Sequence, residues 1–145
     1  MKVLSIRQPW ATLIMAGQKD IENRTWRTHE RGHIAIHACS NFNGLFNAER
    51  KKVVRLCKAQ GFDDLALKLE SLEHRDYPFG AILGTAELFD CVDFNDSPWF
   101  TGPFGFRLRD IRPLKRPMPI KGMLGLWTLP EEIEQDIAMQ LGDHL

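Results

Sequence analysis

Long apolar runs are missing from this 145-residue chain, and nothing in it approaches the roughly 18 consecutive apolar residues of a membrane-spanning helix. A bilayer span is therefore not expected. Cysteine is scarce, with three residues, Cys39, Cys57 and Cys91, set far apart and without the paired Cys/His spacing of a metal site. Those spacings exclude a disulfide framework and a structural zinc site, and predict three buried free thiols. Excess charge of one sign is also lacking: 19 basic side chains balance 19 acidic ones, which excludes a protein that coats nucleic acid through bulk electrostatics. There is no phosphate-loop glycine pattern, no Ser-His-Asp order and no paired metal motif, so neither a cofactor nor a metal is expected. The N-terminus carries one lysine and no apolar signal core, which predicts a cytoplasmic protein. With no repeat, linker or low-complexity segment, the length suits a single domain over residues 1–145 with a sizeable core.

What the chain does have is concentrated at its start. Leu4-Ser-Ile-Arg-Gln-Pro-Trp10 is followed after a short gap by Gly17-Gln-Lys-Asp-Ile-Glu-Asn-Arg-Thr-Trp26. Pro9 suits the first turn of a helix and Gly17 the position just past its end, so a helix is predicted from Pro9 to Ala16. Trp10, Leu13 and Ile14 recur at helical spacing and form its apolar face, with Thr12 and Met15 off that face. Leu4 and Ile6 alternate with Ser5 and Arg7 as in a half-buried strand, which aims Arg7 and free backbone N–H groups toward one end of the unit, where an anion is favoured.

Further strands are read over residues 20–26, 32–38, 79–94, 104–108 and 124–129, with a possible bend at Gly84. Pro113, Pro117 and Pro119 confine the segment after Leu108 to an edge or an extended connection. Helices are expected over 45–60, 63–74 and 131–141; the first two carry little chemistry and read as scaffold. Short mixed strands with a few helices indicate an α+β fold, a small twisted barrel with helices at its side.

Lys19, Glu22 and Arg24 are spaced as Gly-x-Lys-x-x-Glu-x-Arg. On a strand Glu22 and Arg24 share a face, so this is either a salt-bridged strand or a pocket in which a lysine acts as base or nucleophile beside a carboxylate. Trp10, Trp26, Trp99, Phe100, Phe104 and Phe106 are candidates for stacking a base, Trp99 and Phe100 foremost because they lie in the turn-rich loop 95–103. His37 reads as a hydrogen-bonded core residue. It shares a strand face with His33, but two histidines without a third ligand make no metal site. Arg107, Arg109, Arg112, Lys115, Arg116 and Lys121 meet only Asp110 as a counter-charge within their own segment, so one edge of the molecule is either positive or a solvated face.

Several of these segments resemble the ASCH domain family, whose members look like the PUA barrel of RNA-modifying enzymes. The matching stretches are Leu4 to Ala11, the Lys19, Glu22, Arg24 and Trp26 signature, Ile34 to Ala38, Gly84 to Leu88, Trp99 to Gly105 and Gly125-Leu-Trp127. The resemblance implies a small PUA-like β-barrel with flanking α-helices and a cleft lined by Lys19, Glu22 and Arg24. Family members are associated with RNA or DNA binding, with ribonuclease activity and, in one bacterial branch, with amide hydrolysis of 4-acetylcytidine. That branch has threonine at the position of Glu22, so its reaction does not transfer directly. Its later glutamate has only Glu87, Asp93 and Asp96 as candidate counterparts here.

The expectation is a cleft that recognises RNA, single-stranded nucleic acid or a nucleoside. Lys19, Arg24 and Arg7 would meet phosphate, Glu22 would hold Lys19 or accept from a base, and Trp10, Trp26, Trp99 and Phe100 would supply aromatic surface. The alternative is a hydrolase in the same cleft, a ribonuclease or an amidohydrolase acting on a modified nucleoside, with Lys19 as general base and Glu22 as proton-transfer partner.

Overall fold

The computed structural model describes residues 1–40 and 44–142. Its strands are β1 (Lys2–Ile6), β2 (Ile21–Arg24), β3 (Gly32–Ala38), β4 (Ala81–Val92), β5 (Phe104–Pro119) and β6 (Leu126–Thr128). They form one curled half-barrel in the order β2-β5-β4-β3-β1-β6. Only β1 and β3 run parallel; the other neighbours are antiparallel. The α-helices among the described residues are α1 (Trp10–Met15), α2 (Leu45–Ala59), α3 (Asp63–Ser71) and α4 (Glu131–Leu141). The fold is the α+β, PUA-like one that the sequence led us to expect. None of these helices is long and apolar enough to cross a membrane.

Helix α1 buries Ala11, Leu13 and Ile14. Gln8 fastens its start: its Oε1 accepts from the backbone N of Thr12 at 2.9 Å, and its Nε2 donates to the Pro78 carbonyl at 2.9 Å. Gly17, at φ +76°, turns the chain directly back into the Lys19 segment, a left-handed conformation that other residues resist. Met15, expected off the apolar face, packs onto β4 because Gly84 has no side chain. A Cβ there would lie 2.6 Å from the Met15 sulfur and 2.5 Å from the Arg112 carbonyl.

Strand β5 runs through Pro113, Pro117 and Pro119, well past the expected end at Leu108. Strand β2 pairs only with its first four residues, Phe104 to Arg107. Beyond them β5 is an edge, where prolines cost no ladder partner. A register shift between Ile36 and His37 breaks the alternation of β3. His33 and His37 accordingly have different surroundings: His33 bonds Asp110 at 2.8 Å in an exposed pair, whereas His37 is buried. Cys57 and Cys91 are buried as expected, but Cys39 is half-buried.

Among the described residues, the apolar core has three parts. One lies inside the curl around Ile6, Ile36, Leu88 and Phe106. Another joins α1, α2 and α3 through Leu13, Val53, Leu69 and Trp99, and a third seats Ile137 of α4 against Val3, Ile82 and Trp127. Between the open end of the curl and α2 lies a cleft.

Candidate functional site

The cleft has a volume of about 860 Å³, and its wall includes Arg7, Trp10, Lys19, Glu22, Arg24 and Trp26. Its floor is built by β2 and the turn before it. Lys19 is 1% exposed, and its Nζ donates to Glu22 Oε1 at 2.6 Å. Arg24 Nη1 donates to Glu22 Oε2 at 2.8 Å and to the Asn23 carbonyl at 3.1 Å, while Nη2 donates to the Ser5 carbonyl at 2.7 Å. Burial pushes the Glu22 carboxyl pKa up, but the charges of Lys19 and Arg24 and their hydrogen bonds outweigh it and hold the group below its ordinary value. The floor is thus an ionised carboxylate between two cations, with the Lys19 ammonium 5.4 Å from the Trp10 ring centre.

A second carboxylate organises the opposite wall. Glu49 of α2 is 4% exposed. Its Oε2 accepts from Trp10 Nε1 at 2.7 Å, and its Oε1 accepts from Arg7 Nη1 at 3.0 Å and from Lys52 Nζ at 3.3 Å. Burial raises its pKa, but these bonds, that from Trp10 first, leave it lowered overall. Helix α2 is therefore more than scaffold, and Glu49 was missed in the sequence. Its only signal was a carboxylate on the apolar side of an amphipathic helix, in register with Phe46 and Val53. Glu87 and Asp93, considered earlier as the second carboxylate, lie outside the cleft and pair with Arg109 at 2.9 Å and Arg27 at 3.8 Å; Asp96 does not line it either.

The aromatic residues separate. Trp10 and Trp26 line the cleft and are half-buried, Trp26 standing edge-on to Phe106 with 5.0 Å between ring centres. Trp99 reaches the wall, but its ring is 4% exposed, stacked on Phe62 at 5.8 Å and edge-on to Trp10 at 6.5 Å. It supports Trp10 and leaves no free face for a base. Phe100 does not line the cleft; it covers Gly105, where a Cβ would come within 2.9 Å of its ring. Both are placed this way by Asn23, overlooked between Glu22 and Arg24. Its Nδ2 donates to the Trp99 carbonyl at 3.0 Å, and its Oδ1 accepts from the backbone N of Thr101 at 2.9 Å and of Gly102 at 3.1 Å.

The basic segment also divides. Arg107, Arg109 and Arg112 pair with Asp90, Glu87 and Asp110 at 3.6, 2.9 and 3.3 Å and stay outside the cleft, whereas Lys121 lines it. Among the described residues, five cations, Arg7, Lys19, Arg24, Lys52 and Lys121, thus face two carboxylates, Glu22 and Glu49, in the cleft of a chain with no net charge. Among the described residues, no cluster of three or more His, Cys, Asp or Glu side chains is arranged to hold a metal ion.

Comparison with known proteins agrees with the fold. Human activating signal cointegrator 1 is 31% identical across 91% of this chain, and its mouse counterpart is 30% identical across the same share. The chain spans only 23% of the length of either relative. Among solved structures, the ASCH protein of Zymomonas mobilis superposes with a TM-score of 0.53 at 16% identity, covering 98% of this chain and 96% of that one. A variant of it gives 0.54 at 17% identity, covering 95% and 96%. The model of the ASCH domain matches residues 4–104, which include the whole floor of the cleft, and the chain belongs to the ASCH domain family.

Proposed function

We propose that the cleft binds RNA, taking an unstacked base or a nucleoside between Trp10 and Trp26 while the adjoining phosphates lie along its rim. The observation that carries this reading is the surplus of five cations over two carboxylates around two indoles, in a protein that is neutral as a whole. Such a cleft attracts a polyanion and offers π-faces to unstacked bases, which an intact duplex does not present.

The division of labour differs from that expected on the sequence. Lys19 and Arg24 are engaged by Glu22, so they shape and polarise the floor. Arg7 and Lys52 also hold a carboxylate, Glu49, but each is 56% exposed, and with the exposed Lys121 they are the side chains that can meet phosphate. The same geometry weighs against Lys19 as a general base, because it would first have to surrender the proton that it donates to Glu22.

The test is fluorescence anisotropy with a short labelled single-stranded RNA, titrated across salt concentrations. Binding should weaken as salt rises, weaken further in Arg7→Ala and Lys121→Ala, and be competed poorly by duplex RNA. Affinity unchanged in the Arg7→Ala/Lys121→Ala double variant would reject the cleft as the binding site.

A further inference from the structure

One hydrogen-bonded chain in the cleft has no part in the binding proposed above. His37 Nε2 lies 2.8 Å from the Ile120 carbonyl oxygen, which can only accept, so Nε2 carries the proton and Nδ1 of the neutral ring has a lone pair. Ser5 Oγ lies 3.0 Å from that Nδ1 and also accepts from Trp127 Nε1 at 3.1 Å. An indole N–H can only donate, so the hydroxyl proton of Ser5 points at Nδ1. Burial depresses the His37 pKa more than the Ile120 bond raises it, which favours the neutral ring. Ser5 and His37 both line the cleft. Gly122 lies against them so closely that a Cβ there would come 2.7 Å from Ser5 Oγ and 2.5 Å from His37 Cε1.

We infer that Ser5 and His37 are a nucleophile and general base for hydrolysis of an acyl ester carried by an anionic molecule that enters this cleft. The arrangement has a hydroxyl on a base and the base oriented by a third group, here the Ile120 carbonyl. A carbonyl stabilises the imidazolium less than a carboxylate would, which suits an ester rather than the poorer leaving group of an amide. Oγ bonds to the acyl carbon as its proton passes to Nδ1; the ester C–O bond breaks and the departing alkoxide takes that proton. Water then adds to the acylated Ser5 and gives a proton to Nδ1, and the bond from Oγ to the acyl group breaks as Oγ recovers the proton. Arg24 donates to the backbone carbonyl of Ser5 and lines the same cleft, and in this reaction its guanidinium would be the cation available to the developing oxyanion.

The anionic nature of the carrier rests on the RNA-binding reading, but the couple can be tested apart from it. The full chain is treated with a fluorophosphonate probe and the adduct located by peptide mass spectrometry, with RNA anisotropy measured on the same samples. The expected result is a single adduct on Ser5, absent in Ser5→Ala and formed about a hundredfold more slowly in His37→Gln. Because His37 is buried and its variant can unfold, the unaltered protein is also assayed for 4-nitrophenyl acetate hydrolysis in light and heavy water, where a normal isotope effect is expected. No adduct on Ser5 in protein that still binds RNA, an unchanged labelling rate in folded His37→Gln, or no isotope effect overturns the couple. Labelling of Ser5 without RNA binding supports the couple and removes the RNA reading alone.

Discussion

Two parts of the molecule alternate cations and carboxylates in much the same way along the chain, and they do opposite things. In the floor, Lys19, Glu22 and Arg24 are enclosed: Glu22 is 6% exposed and Lys19 1%. On the outer face of β4 and β5, Glu87, Asp90 and Asp110 pair with Arg109, Arg107 and Arg112 in the open, and Arg107 and Arg109 lie 4.7 and 4.4 Å from the Phe89 ring centre. Burial is what separates them. Enclosed charges have lost their water, so each is held in place by its partners and removing one strands the others. Exposed pairs exchange partners with solvent at little cost.

The largest expected effect comes from breaking the enclosed group. Glu22→Ala leaves Lys19 buried without its counter-charge, and should lower the unfolding free energy by about 3 kcal/mol or more, read from the urea midpoint. A loss below about 1 kcal/mol would mean that water reaches the floor and would erase the contrast with the outer face.

Acid should separate the two regions next. Glu22 and Glu49 are held below the ordinary carboxyl value of 4.5 in the folded state. A lowered folded pKa contributes stability that is complete above the unfolded value and lost as pH falls through the folded one. The urea midpoint should therefore hold down to about pH 4.5 and decline below it, with a shallower decline in Glu22→Gln. Glu87 and Asp110 are also lowered, by the hydrogen bond from Arg109 and by that from His33 respectively. Being exposed, their share should vanish at high salt while that of the floor persists. An acid decline abolished entirely by salt would assign it to the surface.

How much of this was legible in the sequence follows the range of the interactions. Motifs whose members lie within a few residues of one another could be read: the α1 unit between Pro9 and Gly17, the signature of Lys19, Glu22 and Arg24, and the short strands. Contacts between distant segments could not. Nothing near Arg107 or Arg109 in the chain announces that β4 brings Asp90 and Glu87 across to neutralise them. Glu49 meets Trp10 and Arg7 only because α2 packs over α1. Trp99 and Phe100 were favoured because their loop is rich in turn residues, but Asn23 fastens that loop from β2 and turns both rings inward. Strand β5 outran its expected end because, of the edge and the extended connection that its prolines left open, the sheet order makes it an edge, which tolerates proline.

At the rim, where cations are neither enclosed nor neutralised on the outer face, substitutions should alter binding more than stability. Arg7→Ala and Lys121→Ala should each weaken single-stranded RNA binding several-fold and reduce the slope of log affinity against log salt by about one. For Arg7 part of the loss comes through Glu49, which then holds Trp10 with one cation fewer. An unchanged salt slope would show that neither side chain meets phosphate.

The smallest effect is expected where the sequence is most basic. Arg109 is bidentate on Glu87, with Nε and Nη2 at 2.9 and 3.0 Å from its two oxygens, so each charge there has a partner and solvent has access to both. Arg109→Ala removes a cation whose field Glu87 already cancels beyond a Debye length, about 10 Å at 0.1 M salt. Neither the urea midpoint nor RNA affinity should shift measurably, and the Glu87→Ala/Arg109→Ala double variant should match the unaltered chain in both assays. A loss of RNA affinity in Arg109→Ala that the double variant restores would show that Glu87 screens this face rather than silences it. The polyanion would then run from the cleft across β5, and the distinction between the two regions would be one of degree.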